Sequence, residues 1–179
     1  RQRVVLARAL TVEPGVIVAD EPVSALDVSI QAQVLNLLGD LKKRLGLTLV
    51  FVTHDLRVVN FFCDRIAVMY MGRLVELGTR KQIMEESRHP YTRMLLSAAP
   101  RDEPGVEIDR PWVKNELDAT APLGNACNFA ARCWARQALG NPERCMTERP
   151  EDHPREDGRV VACHFEEQIP ALAAAETAR

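Results

Sequence analysis

The chain has 179 residues, of which 46% are apolar, 27% charged and 5% aromatic. This length and composition are typical of a globular protein with one domain, or with one domain and a small addition. They exclude a disordered chain, a collagen-like chain and a disulfide scaffold. No apolar run approaches the ~20 residues that span a bilayer. Lys and Arg number 23 against 25 Asp and Glu, so the net charge of -2 argues against a nucleic-acid-binding protein.

The first third of the chain alternates between helix and strand patterns. Residues 1–11 have helical spacing, residues 16–19 form a short apolar run typical of a buried parallel strand, and residues 30–45 form a long amphipathic helix that Gly46 ends. The helical pattern starts at Arg1 without a capping signal. We therefore expect the chain to be the C-terminal part of a longer protein.

The alternation continues as far as residue 85. A second apolar strand is predicted over 47–53, a helix over 56–62 and a third strand over 66–71, with residues 74–77 as its hairpin partner. Strands that alternate with helices favour an α/β fold with a mainly parallel sheet.

The composition changes after Pro100, where Pro, Gly and charged residues become more frequent. Residues 101–124 are predicted to be a linker, and residues 125–165 carry most of the cysteines. A run of alanines at 171–175 could form a final helix. We expect this part to be a small, irregular, Cys-rich appendage.

Titratable side chains follow two of the predicted strands. Asp20 and Glu21 leave the first strand, and His54 and Asp55 leave the second. Ligands bind at the carboxyl ends of parallel strands, where one carboxylate could hold Mg²⁺, the next could activate a water, and His54 could contact a terminal phosphate. The structural alternative is that the acidic pair caps a turn and His54 is a polar core residue.

Three segments together resemble ABC-type ATPases, a branch of the P-loop NTPases. The segment from Val16 to Asp27 resembles their Walker B and D-loop, Val52 to Asp55 their switch-histidine loop, and Arg1 to Leu10 the helix after their signature loop. The segments occur in the order and at the spacing of that family. The resemblance implies part of an ATPase core.

The resemblance also implies a role for each matching residue. Asp20 would bind the Mg²⁺ of Mg-ATP through water, Glu21 would be the catalytic general base, and His54 would sense the γ-phosphate. The D-loop, which lies across the dimer interface in this family, corresponds to Ser24, Ala25, Leu26 and Asp27.

Other parts of an ABC ATPase are missing from the chain. No Gly is followed by Lys, so the G-x-x-x-x-G-K-[ST] phosphate loop is absent, and neither the glutamine loop nor the signature is present. We therefore expect the full-length parent to be the ATPase and this fragment to be inactive alone.

Two further segments are similar to the oligopeptide/dipeptide importer ATPases. They run from Glu21 to Val34 and from His89 to Ala98, the second beginning with the His-Pro-Tyr hallmark of that subfamily. Residues 1–85 would then be the C-terminal part of the ATPase core, and residues 86–179 the importer-type C-terminal region. A structural interpretation of the second segment is a docking helix with an apolar stripe.

This resemblance implies a peripheral subunit at the cytoplasmic face of the membrane that energises peptide uptake. Its partners would be a second, identical or homologous ATP-binding subunit, transmembrane permease subunits and, indirectly, a peptide-binding protein, with no nucleic acid. A chromosome-maintenance ATPase is the nearest competitor within the superfamily. Neither its coiled-coil heptads nor its basic surface is present.

The chain has five cysteines, and four of them cluster in the last third. These four resemble the Cys-rich C-terminus of peptide-importer ATPases, some of which hold a [4Fe-4S] cluster on four thiolates: Cys127, Cys133, Cys145 and Cys163. The spacing lacks a C-x-x-C knuckle, which weakens a zinc interpretation. The gap between the second and third of these cysteines is longer than is usual in that family.

Several interpretations of the cluster remain open: an iron–sulfur site, four reduced thiols without metal, zinc, or a disulfide. His164 is an alternative ligand, and Cys63 is predicted to be a core residue. An alternative function follows, in which the cysteine region is a metal-binding regulatory or docking module on an inactive ATPase remnant.

Overall fold

Residues 2–24, 26–98 and 124–177 are described by the structure, a computed structural model. The chain divides into two compact units, residues 1–63 and residues 64–179. The domain boundary between residues 85 and 86 follows from the family resemblance and stays a prediction.

The first unit alternates three helices with two strands, as the apolar patterns predict. Its elements in chain order are α1 (Gln2–Leu10), β1 (Val16–Asp20), α2 (Val28–Leu45), β2 (Thr48–Val52) and α3 (Leu56–Phe62). Each lies within two residues of its predicted bounds. The apolar spacing therefore located these elements correctly.

The strands β1 and β2 pair in parallel, from Val16 opposite Thr48 to Asp20 opposite Val52. Because side chains alternate between the faces of a strand, only one face of this pair contacts the helices. Leu49 on β2 packs there against the buried core of the unit, which consists of Val23, Val34, Leu35, Leu38 and Val58.

Helix α2 ends at a left-handed glycine. Gly46 has φ 62°, and its N–H donates to the carbonyl of Lys42. Glycine adopts this conformation without a Cβ clash, so the residue can end the helix and lead the chain directly into β2.

The second unit contains an antiparallel sheet of three strands, β3 (Arg65–Tyr70), β4 (Arg73–Thr79) and β5 (Val160–Val161), in the order β3-β4-β5. The α/β class is confirmed, but the expected mainly parallel sheet is corrected to a mixed arrangement. Within the described residues, one strand pair is parallel, and the other pairs are antiparallel.

The cysteine region belongs to the second unit, where β5 pairs with β4; its description as a small, irregular appendage stays a prediction. Trp134 and Ile169, both buried, form a small core there with Ala135 and Ala173. The helical elements of the unit are α4 (Arg80–Met84), α5 (Pro90–Ala98), a 3₁₀ turn (Ala130–Arg132), α6 (Trp134–Ala138), α7 (Arg144–Thr147) and α8 (Ile169–Thr177).

The predicted linker, residues 101–124, lies outside the described residues except for Gly124. The last helix, predicted over 171–175, is present as α8. Among the helices that the structure describes, none combines the length and the apolar character needed to cross a bilayer.

The packing of α2 yields a direct test of the core of the first unit. Leu38 is buried in that core, whereas Leu45 at the end of the same helix is 55% exposed. Leu38→Ala is expected to lower the free energy of unfolding by about 2–5 kcal/mol because it leaves a cavity. Leu45→Ala, the matched control, should change it by less than about 0.5 kcal/mol. Denaturant unfolding followed by circular dichroism measures both, and equal effects would contradict the assigned core.

Candidate functional site

The parallel register of the first unit brings the two predicted strand ends to the same edge. Asp20 ends β1 opposite Val52, the last residue of β2. The backbone N–H of Glu21 donates to the carbonyl of Val52 at 2.9 Å, which extends the ladder by one residue. The acidic pair and the His54 that follows β2 therefore leave the sheet side by side.

Glu21 and His54 are joined by a hydrogen bond between their side chains. Nδ1 of His54 lies 2.9 Å from Oε1 of Glu21, and the side chains are 77% and 48% exposed, respectively. The hydrogen bond and the positive charge that His54 can carry lower the pKa of the Glu21 carboxyl below its usual value. Because His54 faces solvent, the alternative interpretation of His54 as a polar core residue is wrong.

The turn after β1 places Glu21 in an uncommon backbone conformation. Its φ is 43°, a left-handed value that costs energy for a residue with a side chain. The hydroxyl of Ser24 donates to the carbonyl of Glu21 at 3.1 Å and closes this turn. Strain of this kind persists where surrounding contacts fix the chain, and here those contacts orient Glu21.

The other residues of the predicted D-loop lie in different environments. Leu26 is half-buried against the core of the first unit, and Asp27 is exposed immediately before α2, without a side-chain capping bond. Ala25 lies outside the described residues. Asp20 is exposed at the end of β1.

Asp55 stabilises the start of α3. Its carboxylate accepts from the backbone N–H of Arg57 at 2.9 Å and pairs with the Arg57 side chain at 3.3 Å, while its own N–H donates to Thr53. These bonds fix the backbone on both sides of His54. Asp55 therefore anchors the backbone next to His54.

The four clustered cysteines surround one small apolar cavity in the second unit. The backbone N–H of Cys127 donates to the carbonyl of Cys145 at 3.0 Å, which ties two of the segments together. As it stands, the cavity has about 20 Å³, roughly the space of one water. Its walls include Cys127, Cys133, Cys145, Cys163 and His164.

None of the five cysteines, all of which lie in the described part of the chain, forms a disulfide. Burial raises the pKa of all four clustered thiols, that of Cys133 to about 12. Nε2 of His164 lies 3.0 Å from the carbonyl oxygen of Glu148. Across residues 2–24, 26–98 and 124–177, no three or more His, Cys, Asp or Glu side chains are arranged so that they could hold a metal ion.

Cys63 is half-buried at the end of α3, as a packing residue would be.

Sequence reasoning missed part of the cavity wall. His89, Pro90 and Phe129 also line it. The sequence signal was present in the His-Pro-Tyr segment, but its helical spacing indicated only a docking helix. Only the fold shows that this segment and the cysteines share a cavity.

The sequence was compared with known proteins. Residues 75–139 match the family model described as the oligopeptide/dipeptide transporter C-terminal region. The chain is 46% identical to the dipeptide transport ATP-binding protein DppF of Haemophilus influenzae over 91% of its length, and equally identical to DppF of Escherichia coli over 94%. Identity to the oligopeptide transport ATP-binding protein OppF of Haemophilus influenzae is 43% over 90%.

These matches confirm the resemblance that the motifs indicate: the chain is related to the ATP-binding proteins of oligopeptide and dipeptide ABC transporters. It spans about half the length of these relatives, 48% of each. A solved structure of CbiO1 from Clostridium perfringens, part of an ABC transporter complex, is 37% identical, with a TM-score of 0.44. That match covers 47% of this chain and 34% of the other.

The bond between Glu21 and His54 predicts a measurable shift. His54→Ala should raise the pKa of the Glu21 carboxyl towards its ordinary value, because the partner that favours the ionised form is removed. In the unsubstituted chain, the contribution of this pair to stability is present above the ordinary pKa and is lost as pH falls through the lowered pKa.

Carboxyl-detected NMR titration measures the pKa of Glu21. His153→Ala is the matched control, because His153 lies in the second unit beside Glu151. If the Glu21 pKa were the same in the His54→Ala variant, the two side chains would not interact in solution.

Proposed function

We propose that this chain supplies the Walker B, D-loop and switch-histidine part of an ATP-hydrolysing subunit in an ABC importer for oligo- or dipeptides. The hydrogen bond between Glu21 and His54 is the observation that carries the proposal, because it joins the two residues whose motifs imply catalysis. The names of the relatives, transport ATP-binding proteins for dipeptides and oligopeptides, support the substrate class.

Each residue then has a role at the exposed edge of the β1–β2 pair. Bound Mg²⁺ would neutralise charge on the phosphates of ATP, and Asp20 would hold it through a water molecule. Glu21, kept ionised by its lowered pKa, would accept a proton from the water that attacks the γ-phosphorus, releasing ADP and phosphate. His54 uses Nδ1 for Glu21, which leaves Nε2 for a γ-phosphate oxygen.

The assembly that we propose is the one implied by the importer family. A second ATP-binding subunit, identical or homologous, would meet the D-loop, where Ser24 and Asp27 are exposed. Transmembrane permease subunits would hold the pair at the cytoplasmic face of the membrane, and a peptide-binding protein would act through them.

Activity is best tested in a chimera in which this chain replaces the matching half of DppF from Haemophilus influenzae. Once the unsubstituted chimera hydrolyses ATP, Glu21→Gln should lower turnover by about 10²–10⁴-fold, the typical contribution of a general base. Asp40→Asn, which removes an exposed carboxylate from α2, is the matched control and should leave turnover unchanged. Full activity of the Glu21→Gln chimera would contradict the proposal.

A second candidate function is iron–sulfur binding in the second unit. The four-thiol cavity (Cys127, Cys133, Cys145 and Cys163) supports it, because four thiolates are the usual ligand set of a [4Fe-4S] cluster. The donors match this group in number and chemistry but not in their present placement, because no three ligand-type side chains of the described residues are arranged so that they could hold a metal ion. The side chains must move apart to receive it, since the present cavity is small and burial holds the thiols protonated. The cluster could cross-link the cysteine segments or carry an electron.

Iron binding is tested by purifying the chain without oxygen. We expect a brown protein with about four iron atoms per chain, the content of one [4Fe-4S] cluster. Cys133→Ser should abolish iron binding, whereas Cys63→Ser in the other unit should keep it. A colourless, iron-free protein would exclude the iron–sulfur function. If elemental analysis of that protein found zinc, the thiol site would be a zinc site instead.

A further inference from the structure

The loop that carries His54 is short, and packing restrains its side chain little. β2 ends at Val52 and α3 begins at Leu56, so residues 53–55 alone join the two elements. With 77% of the His54 side chain exposed, few neighbours can fix the direction of the ring. The position of Nδ1, 2.9 Å from Oε1 of Glu21, is therefore set by the backbone on either side of His54.

Thr53 anchors this loop on the side of β2. Its hydroxyl oxygen Oγ1 accepts the backbone N–H of Asp55 at 3.1 Å, which closes a tight ring around the backbone of His54. Thr53 follows Val52, whose carbonyl accepts the N–H of Glu21 at 2.9 Å. The ring therefore starts one residue from the hydrogen bond that ties the two strand ends together.

Asp55 anchors the loop on the side of α3. Its Oδ1 accepts the backbone N–H of Arg57 at 2.9 Å, and the Arg57 guanidinium contacts both carboxylate oxygens at 3.3 Å. This is an N-cap strengthened by a two-point charged contact. Although partial burial raises the pKa of Asp55, the bonds from Arg57 bring it below its usual value, so the anchor is ionised near neutral pH.

Helix α3 gives this cap a fixed attachment. Val58, the next residue after Arg57, is buried in the core of the first unit. The loop is thus held between a strand end and a packed helix, and neither anchor uses the imidazole of His54. Both ring nitrogens are left for the site.

We propose that Thr53 and Asp55 are positioning residues of the ATP site, which hold the backbone of His54 so that Nδ1 meets Glu21 while Nε2 remains for a γ-phosphate oxygen. The proposal rests on the first proposed function. It adds two residues that act on the reaction only through His54 and do not touch the reacting atoms.

Two substitutions at Thr53 test the first anchor without a change of charge. Thr53→Val keeps nearly the same shape but removes the acceptor, whereas Thr53→Ser keeps a hydroxyl. Both are made in the full chain, and carboxyl-detected NMR titration measures the pKa of Glu21. Thr53→Val should raise this pKa towards its ordinary value, because a displaced His54 no longer favours the ionised carboxylate, and Thr53→Ser should leave it lowered.

A pair of substitutions at Asp55 tests the second anchor at constant charge. Asp55→Ala and Asp55→Asn remove the same negative charge, but Asn keeps an acceptor for the backbone N–H of Arg57. The pKa of Glu21 should therefore be higher in Asp55→Ala than in Asp55→Asn. The loss of charge alone would affect the two variants equally.

Thr79→Val is the matched control for the loss of a capping hydroxyl. Thr79 accepts the backbone N–H of Gln82 at the start of α4, in the second unit. The control loses a bond of the same kind, and the pKa of Glu21 should stay the same. Thermal unfolding of each variant shows whether the titration is measured on folded chains.

The ATPase chimera supplies a second readout. Thr53→Val should lower kcat about tenfold or more, since a small misplacement in an active site can cost about 10²-fold, and Thr53→Ser should keep most of the turnover. Rescue by the conservative variant separates the loss of the hydroxyl bond from a general effect of substitution at this position.

A raised Glu21 pKa in Thr53→Val and in Asp55→Ala, with a lowered kcat, supports the positioning role, and each residue is judged by its own pair of variants. An unchanged pKa overturns it, and so does an equal rise in Thr79→Val or an unchanged kcat in an active chimera. If Glu21→Gln leaves turnover intact, the proposed ATPase function fails, whereas the pKa comparison still decides whether the two anchors hold His54.

Discussion

The parallel register between β1 and β2 is the constraint on which the proposed ATP site depends. Residues 16–20 pair with residues 48–52 without a shift, and the amide of Glu21 continues the ladder. A shift of one residue would turn each side chain to the opposite face, so the burial of Leu49 against the core holds the register in place. The strand ends then coincide, and groups separated by 33 positions come within hydrogen-bond distance.

The Glu21–His54 pair shows how an exposed contact can be well defined without being strongly stabilising. Both side chains face solvent, so their mutual attraction contributes little to folding. Their position comes from the backbone instead. The left-handed turn at Glu21 is closed by Ser24, and the bonds of Asp55 anchor the residue next to His54. A site of this kind is pre-organised by its supports and remains open to a ligand.

The second unit uses buried polar groups for a different purpose. Glu76 and Arg159 are both almost fully buried, and each has hydrogen-bonding partners on other segments. Arg159 donates to the carbonyl of Glu86 at 2.7 Å. Such bonds specify which segments meet, because a mispaired arrangement would leave charges buried without partners. They allow cysteine-bearing segments with little regular structure to surround one cavity.

The sequence by itself determined the helices and strands of the first unit, because their apolar periodicity and the glycine after α2 are local signals. Motif spacing also located Asp20, Glu21 and His54, since strand ends are local features too. The sequence also predicted the hairpin of β3 and β4, which the structure confirms. Only the tertiary structure decided that β5 joins the same sheet and that His89 and Pro90 line the cysteine cavity. These outcomes depend on contacts between segments as far apart as residues 76 and 161, for which no local pattern exists.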